Sequence, residues 1–145
     1  MFVVDTNILI YALDTSYEEH SACRKLLEGW RQTPGPWYTT WGILYELLRV
    51  ATHPRVFRRP LTIQQAWRFV DILLTSPGLR VLVESPNHAE AVTRTVQEIG
   101  GLRGNVLHDA HTAILMREHG LRRIYTRDTD FHRFRFLEVV DPLAS

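Results

Sequence analysis

Cysteine is almost absent. Cys23 is the only one, which excludes an internal disulfide and any cysteine-cluster zinc site. Long hydrophobic runs are missing too; none approaches the roughly 18 residues of a membrane-spanning helix. The first fourteen residues, MFVVDTNILIYALD, carry two acids and no base, the reverse of a secretory leader. Together these absences predict a cytoplasmic protein with no membrane partner. Excess charge of either sign is lacking as well. Lys plus Arg number 17 against 16 Asp plus Glu, a net of +1, so no strong bulk attraction to nucleic acid is expected. Lysine itself is nearly absent, Lys25 being the only one. The remaining bases are arginines, whose forked guanidinium suits phosphate and carboxylate, although codon bias in a GC-rich genome yields the same composition.

What is present is an ordinary globular composition, 45% hydrophobic and 23% charged over 145 residues. This is the size of one domain, spanning 1–145, and too short for two. The clusters Thr33-Pro34-Gly35-Pro36 and Ser76-Pro77-Gly78 are short loops, not linkers. Strands are predicted at Phe2 to Val4, Trp37 to Thr39, Val81 to Val83, Arg123 to Thr126 and Glu138 to Val140. Between them fall helical stripes: Cys23, Leu26, Leu27, Trp30; Leu44, Leu47, Leu48, Ala51, closed by His53-Pro54; and Ala66, Phe69, Val70, Leu73. Capping boxes are expected at Ser16 with Glu19, Thr62 with Gln65 and Asn87 with Glu90. Asn105 is expected to start a last helix stopped by Gly120. Strands alternating with helices imply an α/β fold with a mostly parallel sheet, whose ligands bind beyond the carboxyl ends of the strands.

Four acids stand where solvated charge is out of place. Asp5 follows the first strand and precedes Ile8-Leu9-Ile10; Asp also caps helices well. Glu46 is the one acid in the apolar stretch Trp41 to Leu48, and burial would be costly without a partner or cation. Its simpler account is a surface ion pair with Arg49. Asp109 lies in the first turn of a helix, where the dipole favours an acid, with Ala113 and Met116 on its face. Asp128, with Asp130 two residues on, follows a strand, where an Asx turn is common. Gathered at one sheet edge, four such carboxylates repel one another and call for a multivalent cation. Hard oxygen ligands select Mg²⁺ or Mn²⁺. His108 and His111, with no third soft ligand nearby in sequence, carry little weight as a zinc pair.

Val4-Asp5-Thr6-Asn7-Ile8-Leu9, Glu46 on its apolar helix, Leu107-His108-Asp109-Ala110 and Thr126-Arg127-Asp128-Thr129-Asp130-Phe131 together resemble the PIN domain, and more narrowly the VapC ribonuclease toxins of bacterial toxin–antitoxin modules. The resemblance spans essentially the whole chain, closing on Leu137 to Pro142. It implies a three-layer α/β/α sandwich, Mg²⁺- or Mn²⁺-dependent endoribonuclease activity, a homodimer, and a small VapB-like antitoxin that blocks the site. Carried onto this chain, the catalytic acids are Asp5, Glu46, Asp109 and Asp128, with Asp5, Asp109 and Asp128 holding the metal. Thr6, Asn7, Thr126 and Asp130 are auxiliary. Water as nucleophile would leave 5′-phosphate and 3′-hydroxyl ends on the RNA.

Two other classes compete. A carboxylate/Mg²⁺ phosphatase of the haloacid dehalogenase type wants a second Asp two residues after the nucleophile, where this chain has Asn7, and a phosphate-binding lysine that Lys25 fits poorly. A non-catalytic RNA- or protein-binding module could use the arginines with Trp37, Trp41 and Trp67. Such a binder would neither need nor hold Mn²⁺.

Overall fold

A computed structural model of the chain describes residues 1–144. Five parallel strands form one sheet: β1 (Val3–Val4), β2 (Trp37–Thr40), β3 (Leu79–Leu82), β4 (Arg123–Tyr125) and β5 (Glu138–Val140), in the order β3-β2-β1-β4-β5. Six helices connect them: α1 (Thr6–Leu13), α2 (His20–Gln32), α3 (Trp41–Thr52), α4 (Ile63–Leu74), α5 (His88–Glu98) and α6 (Val106–Glu118). The chain moves one way across the sheet from β1 to β3, then jumps back past β1 to β4. Right-handed crossovers therefore place α1–α4 on one face and α5–α6 on the other. Most helix contacts divide the same way, α1 with α2 and α3, α3 with α4, and α5 with α6, while α3 also meets α6. The result is the expected α/β/α sandwich.

Both residues of central β1, Val3 and Val4, are fully buried, as a strand covered on both faces requires. After β1 the chain leaves toward β2; after β4 it leaves toward β5. That reversal opens a crevice at the carboxyl edge between them, the ordinary ligand position of such sheets. Beyond β4 a 3₁₀ turn (Thr129–Arg133) drives Phe131 into the core, with Phe134 just after it, both fully buried. Burying each phenyl group is worth roughly 1.5–3 kcal/mol, which anchors the backbone carrying Asp128 and Asp130.

The Thr62–Gln65 capping box forms on both sides. The other two do not. Glu19 is drawn off by Arg127 (Oε1 to Nη1, 3.2 Å), and α2 starts only at His20. At α5 the Asn87 side chain makes no cap, and the Asn87 amide that Glu90 would need donates instead to the Ser85 hydroxyl (3.2 Å). Asn105 sits in helical geometry and caps nothing. Thr40, unrecognised in the sequence, caps α3 by accepting from the Ile43 amide (3.0 Å). The third strand lies two residues earlier at its start than the apolar run suggests, since its pairing begins with Trp37 against Leu79.

Gly78 shows how tightly β3 enters the sheet. Its carbonyl accepts from the Trp37 amide (3.0 Å), and a Cβ here would overlap the Gly35 carbonyl oxygen and crowd that of Thr33. Backbone atoms cannot swing aside as a side chain would. Gly78→Ala is thus expected to lower stability by about 1–3 kcal/mol, read as an earlier urea midpoint at unchanged slope. An unshifted midpoint would show that the Thr33–Pro36 turn yields freely.

Candidate metal centre

β1 and β4 are joined at their ends by a network centred on Thr126. The register that sets Val4 beside Tyr125 brings Asp5 level with Thr126. The Thr126 hydroxyl donates to Asp5 Oδ2 (2.7 Å) and accepts from Asn7 Nδ2 (3.0 Å) and the Asp128 amide (3.0 Å). Asn7 Nδ2 also donates to Asp5 Oδ2 (3.2 Å), and its Oδ1 accepts from the Arg127 amide (3.2 Å). The Thr6 amide donates to Asp5 Oδ1 (2.8 Å), so Asp5 does cap α1. The Thr6 hydroxyl turns away from the acids and donates to the Ile43 carbonyl (3.3 Å). It therefore ties α1 to α3, and the amide, not the hydroxyl, orients Asp5.

A cleft of about 680 Å³ opens above this network, lined by Asp5, Glu46, Asp109, Asp128 and Asp130 together with Arg49, His108 and His111. Carboxylate oxygens of Asp109, Asp128 and Asp130 all lie within 4.8 Å of one another. Asp130 thus stands as close to the centre as the two acids that the sequence ranked above it. Its backbone amide donates to Asp128 Oδ1 (2.9 Å), so the Asx turn and the cluster coexist. Glu46 is less buried than an acid on an apolar helix suggests. Trp41 and Tyr45 point outward on α3, and the Glu46 side chain is 37% exposed and paired with Arg49 (2.9 Å). It occupies the rim of the cleft as well as a surface ion pair.

Crowding leaves an electrostatic signature. Burial pushes the Asp5 carboxyl up to about 6, opposed by its bonds from Thr126 and the Thr6 amide and reinforced by the charges of Asp128 and Glu46. Asp109 is pushed up to about 7, by burial first and then by Asp128, Asp5, Asp130 and Glu46. The dipole at the start of α6 favours the charged form of Asp109, and these effects outweigh it. Carboxylates that resist ionisation when alone are suited to a divalent cation, whose charge restores the anionic form. An all-oxygen donor set fits Mg²⁺ or Mn²⁺.

A five-stranded parallel sheet with an acidic crevice at its switch point is an α/β architecture with a candidate cation site, and comparison with known proteins gives its family. The PIN domain model matches residues 2–137. Ribonuclease VapC48 of Mycobacterium tuberculosis is 31% identical over 140 residues, covering 97% of this chain and 96% of that protein. Ribonuclease VapC43 of the same species is 34% identical over 143 residues, covering 99% and 96%. Among solved structures, M. tuberculosis VapC20, described as a sarcin–ricin loop cleaving toxin, superposes with a TM-score of 0.65 at 20% identity, covering 91% of this chain and 93% of that one. The chain belongs to the PIN-domain family, among the VapC ribonucleases.

Proposed function

We propose that this chain is a metal-dependent endoribonuclease toxin, one domain over 1–145, held inactive in the cytoplasm by a small cognate antitoxin. The observation that carries the proposal is the crowding of Asp109 by four other carboxylates in one open cleft. VapC relatives at 31% and 34% identity, named as ribonucleases, support the substrate class. Among the described residues no helix is long and apolar enough to cross a membrane.

Asp5, Asp109 and Asp128 would hold Mg²⁺ or Mn²⁺, with Asp130 at the same centre. When bound, the cation supplies Lewis-acid polarisation of the phosphodiester and lowers the pKa of water. The protein's own groups do the rest. Thr126, Asn7 and the Thr6 amide fix Asp5 in one rotamer, so its geometry is set before substrate arrives. Glu46 has Oε1 engaged by Arg49, leaving Oε2 to accept the proton of an attacking water. Arg49, 60% exposed, is positioned to transfer from Glu46 to a phosphate oxygen of RNA. Water, rather than the ribose 2′-hydroxyl, attacks, so 5′-phosphate and 3′-hydroxyl ends are expected.

Without its cation the cleft is anionic, so an antitoxin would close it with an arginine or lysine flanked by apolar side chains. Exposed Trp41 and Tyr45 on α3, and Ile63 and Trp67 on α4, supply apolar surface for that partner and for a homodimer.

Incubation with a structured RNA in Mn²⁺ tests the activity. Cleavage should stop with EDTA and return with excess Mn²⁺, and the fragments should accept ligation at a 5′-phosphate. Undiminished cutting in EDTA, or 2′,3′-cyclic ends, would refute the hydrolytic assignment.

A further inference from the structure

We propose that Glu84, His88 and His111 form a second cation site, for a transition metal of the Zn²⁺ type, distinct from the carboxylate centre. Ligand atoms from these three side chains all lie within 4.8 Å of one another. They come from three elements: Glu84 from the loop after β3, His88 from the first residue of α5, and His111 from α6.

The strongest feature is what stands behind His88. Its Nδ1 lies 2.8 Å from Glu118 Oε2, and the Glu118 side chain is only 2% exposed. An ionised carboxylate only accepts, so Nδ1 carries the proton and the neutral ring keeps its lone pair on Nε2. A buried carboxylate orienting the far nitrogen of a histidine is the usual support of a metal-ligating imidazole, fixing both tautomer and ring plane. Glu118 is itself held, since its Oε1 accepts from the Ser85 amide (2.9 Å). His119 Nε2 donates to the Val83 carbonyl (2.7 Å). The loop between β3 and α5 is thus fastened to α6 on both sides of Glu84.

His111 is placed equally clearly. Its Nδ1 faces Gly42, where a Cβ would come within 3.4 Å, and its Nε2 faces Glu84 Oε1 at 2.7 Å. In the absence of metal a proton bridges these two atoms. A cation would take the place of that proton, which moves to Nδ1, so that the neutral ring binds through Nε2. Four-coordinate Zn²⁺ with bonds of about 2.0–2.1 Å sets its ligand atoms roughly 3.3 Å apart. Glu84 and His111, at 51% and 39% side-chain exposure, have the freedom to open to that spacing. Two imidazoles and one carboxylate select Zn²⁺, Ni²⁺ or Cu²⁺ over Mg²⁺, and three protein ligands leave a position for water or an anion. His111 also lines the acidic cleft, so the ion would sit at one end of it. It would pin the β3–α5 loop to α6.

Sequence spacing offers only His108 beside His111, a pair of little weight as zinc ligands. The partner is His88, 23 positions before His111 and on another helix.

The test uses the full chain stripped of metal, titrated with Zn²⁺ by calorimetry and with Co²⁺ by visible absorption. About one ion per chain is expected, with Co²⁺ bands indicating nitrogen ligation. Binding should survive Asp109→Asn and Asp128→Asn. It should weaken by more than about a hundredfold in His88→Ala and by about tenfold or more in Glu84→Gln. Zn²⁺ should also raise the melting temperature of the parent chain and not that of His88→Ala. Glu84 is exposed, so Glu84→Gln remains informative should His88→Ala fold poorly. The proposal is overturned by the absence of saturable Zn²⁺ binding, by binding unchanged in Glu84→Gln, or by binding lost in Asp109→Asn. Because none of these measurements reads RNA cleavage, the outcome is independent of the ribonuclease assignment.

Discussion

Asp109→Asn is expected to cut RNA more than about a hundredfold more slowly than the parent chain, yet to melt higher when both are free of metal. Residues that merely support a metal ligand cost 10- to 100-fold when removed, and a direct ligand should cost at least that. Stability moves the other way. Asp109 is pushed up to about 7 by burial and four neighbouring carboxylates, so at pH 8 the native state holds a charge it disfavours. Asparagine keeps the shape and removes the charge. Relief of the order of 2 kcal/mol is expected, or about 6 °C in melting temperature for a chain of this size. Were Asp109 simply a favourable helix-start residue, its loss would cost about 0.3–1 kcal/mol and leave cleavage intact. Paired melts in EDTA and cleavage assays in Mn²⁺ therefore separate the two accounts by sign.

The acids were legible because topology does the gathering. Asp5 follows a two-residue strand buried on both sides, and Asp128 follows the strand beside it. Once alternating elements imply a parallel sheet, both acids must reach its carboxyl edge. Their ranking was not legible. Asp130 stays exposed, yet the 3₁₀ turn anchored by buried Phe131 carries its carboxylate within 4.8 Å of those of Asp109 and Asp128, a tertiary effect invisible in the string Asp128-Thr129-Asp130. Helix starts failed for a related reason. Ser16–Glu19 and Asn87–Glu90 satisfy the local capping pattern, but Arg127 takes the Glu19 carboxylate and the Ser85 hydroxyl takes the Asn87 amide. A long-range charge partner in the first case and a neighbouring hydroxyl in the second outcompete a cap worth about 1 kcal/mol. The contacts of His88 with Glu118 and of His111 with Glu84 span 30 and 27 positions, beyond any spacing rule. The mere presence of seven histidines was the only available signal.

Acidifying the metal-free protein from pH 8 to pH 5 is expected to stabilise it at this site, and saturating Mg²⁺ is expected to abolish that gain. Asp5 and Asp109 have native pKa values of about 6 and about 7, above the ordinary 3.8 that the unfolded chain recovers. Between those values the native state binds more protons than the unfolded one, so stability falls as pH rises. The penalty is absent below about pH 4, builds through pH 6 to 7, and is complete by pH 8. Other groups titrate over the same range, so the informative quantity is the difference between the parent chain and the double variant Asp5→Asn/Asp109→Asn. In EDTA the variant's advantage should be several kcal/mol at pH 8 and should shrink toward zero near pH 4. With Mg²⁺ bound the parent's carboxylates are ionised and compensated, and ligand linkage stabilises the parent alone. The order of the two melting temperatures should then reverse at pH 8. A variant that stays ahead by the same margin at every pH, with or without Mg²⁺, would mean that the acids neither repel one another nor share a cation.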